Sequence, residues 1–185
     1  MSTGYTTQNS LLLNKLISFY KENNYLDKIL TIINGENKMS LRLIDWFVTN
    51  YAKKNFIVYN IQEKNGKNRR FKVYTDYKLK LKAYSKKRFD PFCRWERITI
   101  PYDDNNYIQT TIGQLNFFKW VLENNILTYL HKNFDTIEKD MNRRNSTSKR
   151  KEKSNKKTRK KREELSISAS KSIKKEKVEI VVKFN

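Results

Sequence analysis

Between Arg143 and Lys177 the chain holds 16 Lys/Arg against four Asp/Glu and almost no large apolar side chains. Such a stretch cannot bury enough surface to offset the entropy of ordering it, and reads as a basic low-complexity tail, disordered or only transiently helical. The fold must therefore come from residues 1–142, with residues 1–9 polar and loose, helped at most by the C-terminal segment VEIVVKF, Val178 to Phe184. That length supports one domain of ordinary size and not two. The tail contributes +12 of the net +21; the other 150 residues, with 24 Lys/Arg and 15 Asp/Glu, contribute +9. Basicity is thus not confined to the tail.

Hydrophobic spacing in residues 1–142 predicts an α+β domain. Ser10 can cap a helix carrying Leu11, Leu12, Leu13, Leu16, Ile17 and Tyr20; Leu26, Ile29, Leu30 and Ile33 read as a second, stopped by Asn34-Gly35. Ser40 caps a third helix, in which Ile44, Phe47, Val48 and Tyr51 form an i, i+3, i+4, i+7 stripe running to about Lys54, with Trp46 off it. Phe56 to Ile61 and Phe71 to Thr75 are rich in aromatic and β-branched residues and flank a basic loop centred on Gly66, as a hairpin would.

The segment from Asp76 to Arg88 fits two periods. Tyr77, Leu79, Leu81 and Ala83 alternate with lysines at strand spacing, while Tyr77, Leu81 and Tyr84 match a helix. Helix is favoured: Lys, Leu and Ala are good helix formers, Thr75 or Asp76 can cap, and a strand here would be unusually long. After the break at Asp90-Pro91, Arg97 to Tyr102 and Tyr107 to Thr110 make a second hairpin around DDNN. Thr111 then opens a helix through Gln114, Phe118, Leu122 and Ile126, kinked at Asn124-Asn125 and continuing to about Met141. VEIVVKF has the strongest β-character in the chain and is expected to return to the domain as an edge strand; the competing reading is a strand used in self-association. The fold class expected is α+β: helices on a small, mostly antiparallel sheet made of two hairpins and a C-terminal edge strand, with the basic segment inserted before that strand.

Several function classes are disfavoured. One cysteine, Cys93, permits no intrachain disulfide, and with a single histidine, His131, no Cys/His metal site can be assembled. No spacing brings Cys93 and His131 together as nucleophile and base, and they read as a core thiol and a helix-surface residue. Asp45, Asp76, Asp90, Asp103 and Asp104 are too scattered to suggest a metal-dependent nuclease, and Gly4, Gly35, Gly66 and Gly113 are isolated, so no phosphate loop exists. No enzymatic activity and no cofactor are expected. The start, MSTGYTTQNS, lacks signal-peptide character, and the apolar run from Leu11 to Phe19 is broken by Asn14 and Lys15, so a soluble intracellular protein is expected.

What remains is polyanion binding, which a net charge of +21 favours. In the tail, KRKEKSNKKTRKKREE supplies Lys149, Arg150, Lys151, Lys156, Lys157, Arg159, Lys160, Lys161 and Arg162 for phosphate contacts that release counterions and weaken with salt. Lys156 to Arg162 also satisfies a nuclear-import pattern, a weak signal in any basic tail. In the body, Lys67, Arg69, Arg70 and Lys72 lie on or beside the first hairpin, followed by Lys78, Lys80, Lys82, Lys86, Lys87 and Arg88, then Arg94 and Arg97. If these share one face they make a groove for a phosphate backbone, with Tyr84 and Trp95 as surfaces on which a base could stack; core packing competes for each aromatic. In FDPFCRWER, Asp90 can pair with Arg94 or Arg97 in a half-buried polar network that organises structure.

Three blocks, SLRLIDWFVTNYAKKN (40–55), LKAYSKKRFDPFCRWERI (81–98) and TTIGQLNFFKWVLENNIL (110–127), together resemble an uncharacterised protein family of large nucleocytoplasmic DNA viruses, over about residues 40–130. The resemblance implies a viral protein, made late and packaged in the virion, present in the virion and the infected-cell cytoplasm, with the nucleus also open. It carries over no catalytic residues, and leaves open whether Trp95 meets phosphate or packs. The expected function is binding of viral nucleic acid, DNA before RNA, without sequence preference, during genome condensation or packaging. The alternatives are a virion scaffold or adaptor whose basic surface meets acidic protein partners, and an accessory subunit of a viral transcription or replication assembly.

Overall fold

The computed structural model describes residues 7–33, 36–63, 66–93, 95–103, 106–154 and 174–177. Helices α1 (Gln8–Asn23), α2 (Leu26–Ile33) and α3 (Leu41–Trp46) come first; α3 continues through a π-helical turn, Phe47–Tyr51, into the short α4 (Ala52–Lys54). Hairpin β1 (Val58–Gln62) and β2 (Asn68–Lys72) precedes α5 (Val73–Phe89). Hairpin β3 (Arg97–Asp103) and β4 (Asn106–Thr111) precedes α6 (Ile112–Glu123), α7 (Ile126–Lys132) and α8 (Phe134–Ser154), and Lys174–Lys177 forms β5. The α+β class holds, with one refinement. The hairpins belong to separate antiparallel sheets, β1-β2 and β3-β4-β5, instead of one.

Helix α6 is the axis of the core. Leu115, Phe117, Phe118, Trp120 and Val121 are all buried, so it is apolar around most of its circumference and must be enclosed. On one side the Tyr20 hydroxyl of α1 donates to the Leu115 carbonyl at 2.6 Å. On the other, Phe71, Tyr77 and Phe89 surround Trp120 with ring centroids 5.7 to 6.2 Å away, and the indole N–H donates to Asp76 at 2.6 Å. Burial pushes the Tyr20 phenol well above its ordinary pKa, so it stays a neutral donor.

Capping chemistry was legible at two of four sites, Ser40 and Thr111. Ser40 and Thr111 each accept from the backbone N–H three residues on, Leu43 and Gln114. At α1 the cap is Thr7, not Ser10, which lies inside the helix and donates its hydroxyl to the Thr7 carbonyl. The predicted stripe of α3 is buried at Ile44, Phe47 and Val48; Trp46, off the stripe, is buried too, because α8 covers a second face and sets Arg144 5.5 Å from its ring.

The ambiguous segment is helical. At strand period Leu79 would share a buried face with Tyr77 and Leu81, yet Leu79 is 60 % exposed while Tyr77 is buried and Leu81 packs against the core. Helix α5 begins earlier than expected, at Val73, so β2 ends at Lys72 instead of Thr75, and neither Thr75 nor Asp76 caps it. Asp76 instead receives the Trp120 N–H. Phe56, expected in β1, sits before it in a turn, 85 % exposed with φ 49°.

Ser85 interrupts α5 with φ 63° and ψ 167°, a region that side-chain-bearing residues rarely occupy. The bend lets the last turn fold inward: Phe89 is fully buried, and Arg88 donates to Asn9 at 2.7 Å and Gln8 at 3.2 Å on α1. Ser85 is exposed and its strain is local. Ser85→Gly is therefore expected to raise unfolding free energy by about 1 kcal/mol, relief of strain outweighing the added freedom of the unfolded chain. Urea denaturation checks it, and an unchanged or lower midpoint would contradict the strain.

The C-terminal region departs from expectation in position. Helix α8 passes beyond Met141 through the first part of the basic segment to Ser154. An added edge strand is present, but it is Lys174–Lys177, antiparallel to β4 with Ile108 opposite Lys175. Val178 to Phe184, which was expected to form it, lies outside the described residues, as do Asn34 and Gly35. A lysine-rich strand suits a sheet edge, where charge discourages further pairing.

Candidate nucleic-acid interface

Strand alternation sorts the first hairpin's cations. In the β1-β2 register Tyr59 lies opposite Phe71 and Ile61 opposite Arg69, and these four face inward; Asn60 opposite Arg70 and Val58 opposite Lys72 face out. Arg69 is accordingly engaged: it donates to Asn124 Oδ1 at 2.9 Å, pairs with Glu63 at 3.3 Å and lies 5.3 Å from the Phe71 ring. The same Asn124 accepts the Tyr59 hydroxyl on its carbonyl at 2.7 Å, so the hairpin is fastened to the α6–α7 junction at two points. Tyr59 also stacks on Tyr129, which stacks on Phe47, and burial drives the Tyr59 phenol far above its usual range. Arg70 and Lys72 are exposed on the outer face.

Helical geometry divides the next group. At 3.6 residues per turn Lys78 and Lys82 fall one above the other on the exposed side of α5, while Lys80 points to the opposite flank and is half-buried. Beyond the Ser85 bend, Lys86 and Lys87 are exposed, whereas Arg88 is spent on the contacts with α1. Arg97 reaches across its hairpin to Gln109 at 2.8 Å and does not pair with Asp90, whose carboxylate accepts from the Phe92 backbone N–H at 2.9 Å. Asp90 thus shapes its own turn, and Arg97 is not the partner it holds. Arg94, the other partner expected for Asp90, lies outside the described residues.

The aromatic candidates separate in the same way. Tyr84 is half-buried with its ring parallel to Phe89 at 6.1 Å, a packing role. Trp95 stays 43 % exposed with Lys87 Nζ 3.5 Å from its ring centroid, an indole and an ammonium together at the surface. The exposed set is therefore Lys67 before β2, Arg70 and Lys72 on β2, Lys78, Lys82, Lys86 and Lys87 on α5, and Trp95 in the loop after it. Of the tail candidates, Lys149, Arg150 and Lys151 lie on α8; Lys156, Lys157, Arg159, Lys160, Lys161 and Arg162 lie outside the described residues.

Catalytic chemistry finds no assembly among the described residues, where no group of three His, Cys, Asp or Glu side chains could hold a metal. Cys93 is half-buried and His131 exposed. No helix among the described residues is long and apolar enough to cross a membrane. One feature had no weight in the sequence reading: Lys54, Lys139 and Arg143 converge on a cleft between α4 and α8. Its signal was present as Thr136, Lys139, Asp140 and Arg143, an i, i+3, i+4, i+7 set that puts polar and charged groups on one helix face.

A family model described as a family of unknown function (DUF7197) matches residues 2–184. An uncharacterized protein, L507, of Acanthamoeba polyphaga mimivirus is 44 % identical over 155 residues, covering 80 % of this chain and 59 % of the relative. The chain thus spans about three fifths of that relative's length. The resemblance to an uncharacterised giant-virus family drawn from the three sequence blocks holds. No solved structure matches the chain.

Proposed function

We propose that this chain, which belongs to a family of unknown function (DUF7197), binds nucleic acid without sequence preference and acts in condensing or packaging a viral DNA genome. The supporting observation is the succession of exposed cations on β2 and α5, together with the +12 that residues 143–177 add to the chain's charge. Cations at the ends of flexible stems, most of them lysines, suit phosphates of any sequence. A mimivirus relative supports a viral setting for this reading, and the virion and viral factory are where the protein would act.

The reading separates neighbours on one strand. Arg70→Gln and Lys72→Gln should each weaken binding of a random duplex and reduce the salt slope of log K by about 1, leaving thermal stability unchanged. Arg69→Gln should do the reverse, losing about 1–2 kcal/mol of stability with its bond to Asn124, with little effect on the slope. Fluorescence anisotropy across a salt series, paired with thermal denaturation, measures both. No binding by the full chain at low salt would reject nucleic acid as the partner.

A further inference from the structure

The cleft between α4 and α8 has a volume of about 380 Å³. Tyr51, Lys54 and Asn55 form one wall, and Thr136, Lys139, Asp140 and Arg143 of α8 form the other. Asp140 is the organising group. Its side chain is only 10 % exposed, and its carboxylate holds Lys54 Nζ at 3.7 Å, Arg143 at 3.5 Å and Arg144 Nε at 3.4 Å. Lys139 takes no part in these pairs. The lining therefore carries three cations against one carboxylate, a surplus of two positive charges, with the Thr136 hydroxyl, the Asn55 amide and the Tyr51 phenol as neutral hydrogen-bonding groups beside them.

We propose that this cleft binds a phosphate monoester, the terminal phosphate of a nucleic-acid strand or of a free nucleotide. Such a group carries close to two negative charges at neutral pH, the complement of the lining, whereas a backbone diester carries one. Asp140 acts as a post between the two walls, drawing Lys54 from one and Arg143 from the other, so that their charges stand beside Lys139 before the phosphate arrives. Volume agrees: about 300 Å³ is the lower bound for small-molecule sites, enough for the phosphate and the sugar attached to it. The strand-end form of this inference rests on the nucleic-acid reading above, and the free-nucleotide form does not.

The test titrates the full chain, at a salt concentration where binding is measurable, with one single-stranded oligonucleotide ending in a 5′-phosphate and with the same strand ending in a 5′-hydroxyl. A nucleoside 5′-monophosphate is titrated separately. The phosphate-ended strand should bind about tenfold more tightly, the size expected of one or two charge-assisted hydrogen bonds. Lys139→Gln with Arg143→Gln should erase that preference and leave the hydroxyl-ended strand's affinity within about a factor of the two charges removed, roughly threefold. Both side chains are exposed, so the fold is not at stake, and circular dichroism checks it. Binding of the monophosphate that responds to these substitutions, without any strand-end preference, assigns the cleft to a free nucleotide. Equal affinity for both strand ends with no monophosphate binding overturns the cleft proposal while leaving nucleic-acid binding intact. Substitution-sensitive monophosphate binding with neither strand bound keeps the cleft and rejects the nucleic-acid function.

Discussion

Deleting residues 146–172 is expected to lower affinity for a random DNA duplex by at least ~100-fold at ~100 mM salt, and to flatten the salt dependence by a slope of about 5. The deletion removes 11 Lys/Arg and three Asp/Glu while retaining the edge-strand residues Lys174–Lys177 and the VEIVVKF segment that follows. If about half of those cations meet phosphates, each displaced counterion adds about 0.9 to the slope, which gives both figures. The residual binding is as informative as the loss. A shortened chain that still binds, with a slope of a few units, makes its remaining contacts through the folded body, and Arg70→Gln and Lys72→Gln in that background assign the share of β2. A shortened chain that binds nothing leaves the folded body with no phosphate-binding role, and moves it toward the scaffold or adaptor alternative, in which acidic proteins are the partners. Full affinity after deletion would refute the tail's part altogether. Anisotropy at four or more salt concentrations distinguishes the three, because a single concentration confuses slope with intercept.

Local chemistry was the part of this fold that could be read in advance. Ser40 and Thr111 each precede an apolar run, and a hydroxyl in that place has one good use. Tyr77, Leu81 and Tyr84 matched a helix against a competing alternation, and helix propensity tipped the balance correctly. Elements were harder to join than to find. Alternation with Phe71 sets Arg69 on the inner face, but nothing in β2 reveals its partner, Asn124, 55 residues away in a helix junction. The same holds for Trp46, which needs α8 as a second neighbour before its burial makes sense, and for Asp76, which resembles a helix cap until Trp120 arrives beside it. The candidate interface divides along the same line. Charge and composition locate basic residues, but only strand alternation, the α5 period and the Ser85 bend say which of them point outward. Arg88 and Arg97 were indistinguishable from Lys86 and Lys87 in sequence, and bidentate donors like arginine are the residues a fold recruits for its own carbonyls and amides. The α4–α8 cleft was missed because its walls, 51–55 and 136–143, are far apart in the chain and neither is basic enough alone to attract notice.

Gly113→Ala is expected to cost about 2–3 kcal/mol of stability, the largest single-residue effect of a substitution this small. In sequence Gly113 was informative only as an isolated glycine that excludes a phosphate loop. In the fold it is the point where the first turn of α6 meets the end of α5. A Cβ there would stand 2.9 Å from the Asp90 carbonyl oxygen, 3.1 Å from that of Lys87 and 3.4 Å from the Phe89 nitrogen. All three are backbone atoms, so no rotamer change can relieve the contact, and the helices must separate. Separation is costly here in particular. It stretches the 2.9 Å bond from Asn116 to the Arg88 carbonyl and draws Phe89 from the ring cluster around Trp120. Alanine's better helix propensity, worth about 1 kcal/mol, works the other way and sets the net figure below the full overpacking cost. Leu79→Ala, at an exposed position on α5, provides the matched control and should change stability by no more than about 0.5 kcal/mol. Denaturant midpoints compare the two directly: Gly113→Ala within 0.5 kcal/mol of the parent would mean that α5 and α6 do not approach as closely as this. Since Gly113 also fixes where the last turn of α5 leaves the core, its substitution should move Lys86 and Lys87 relative to Trp95, whose ring centroid lies 3.5 Å from Lys87 Nζ.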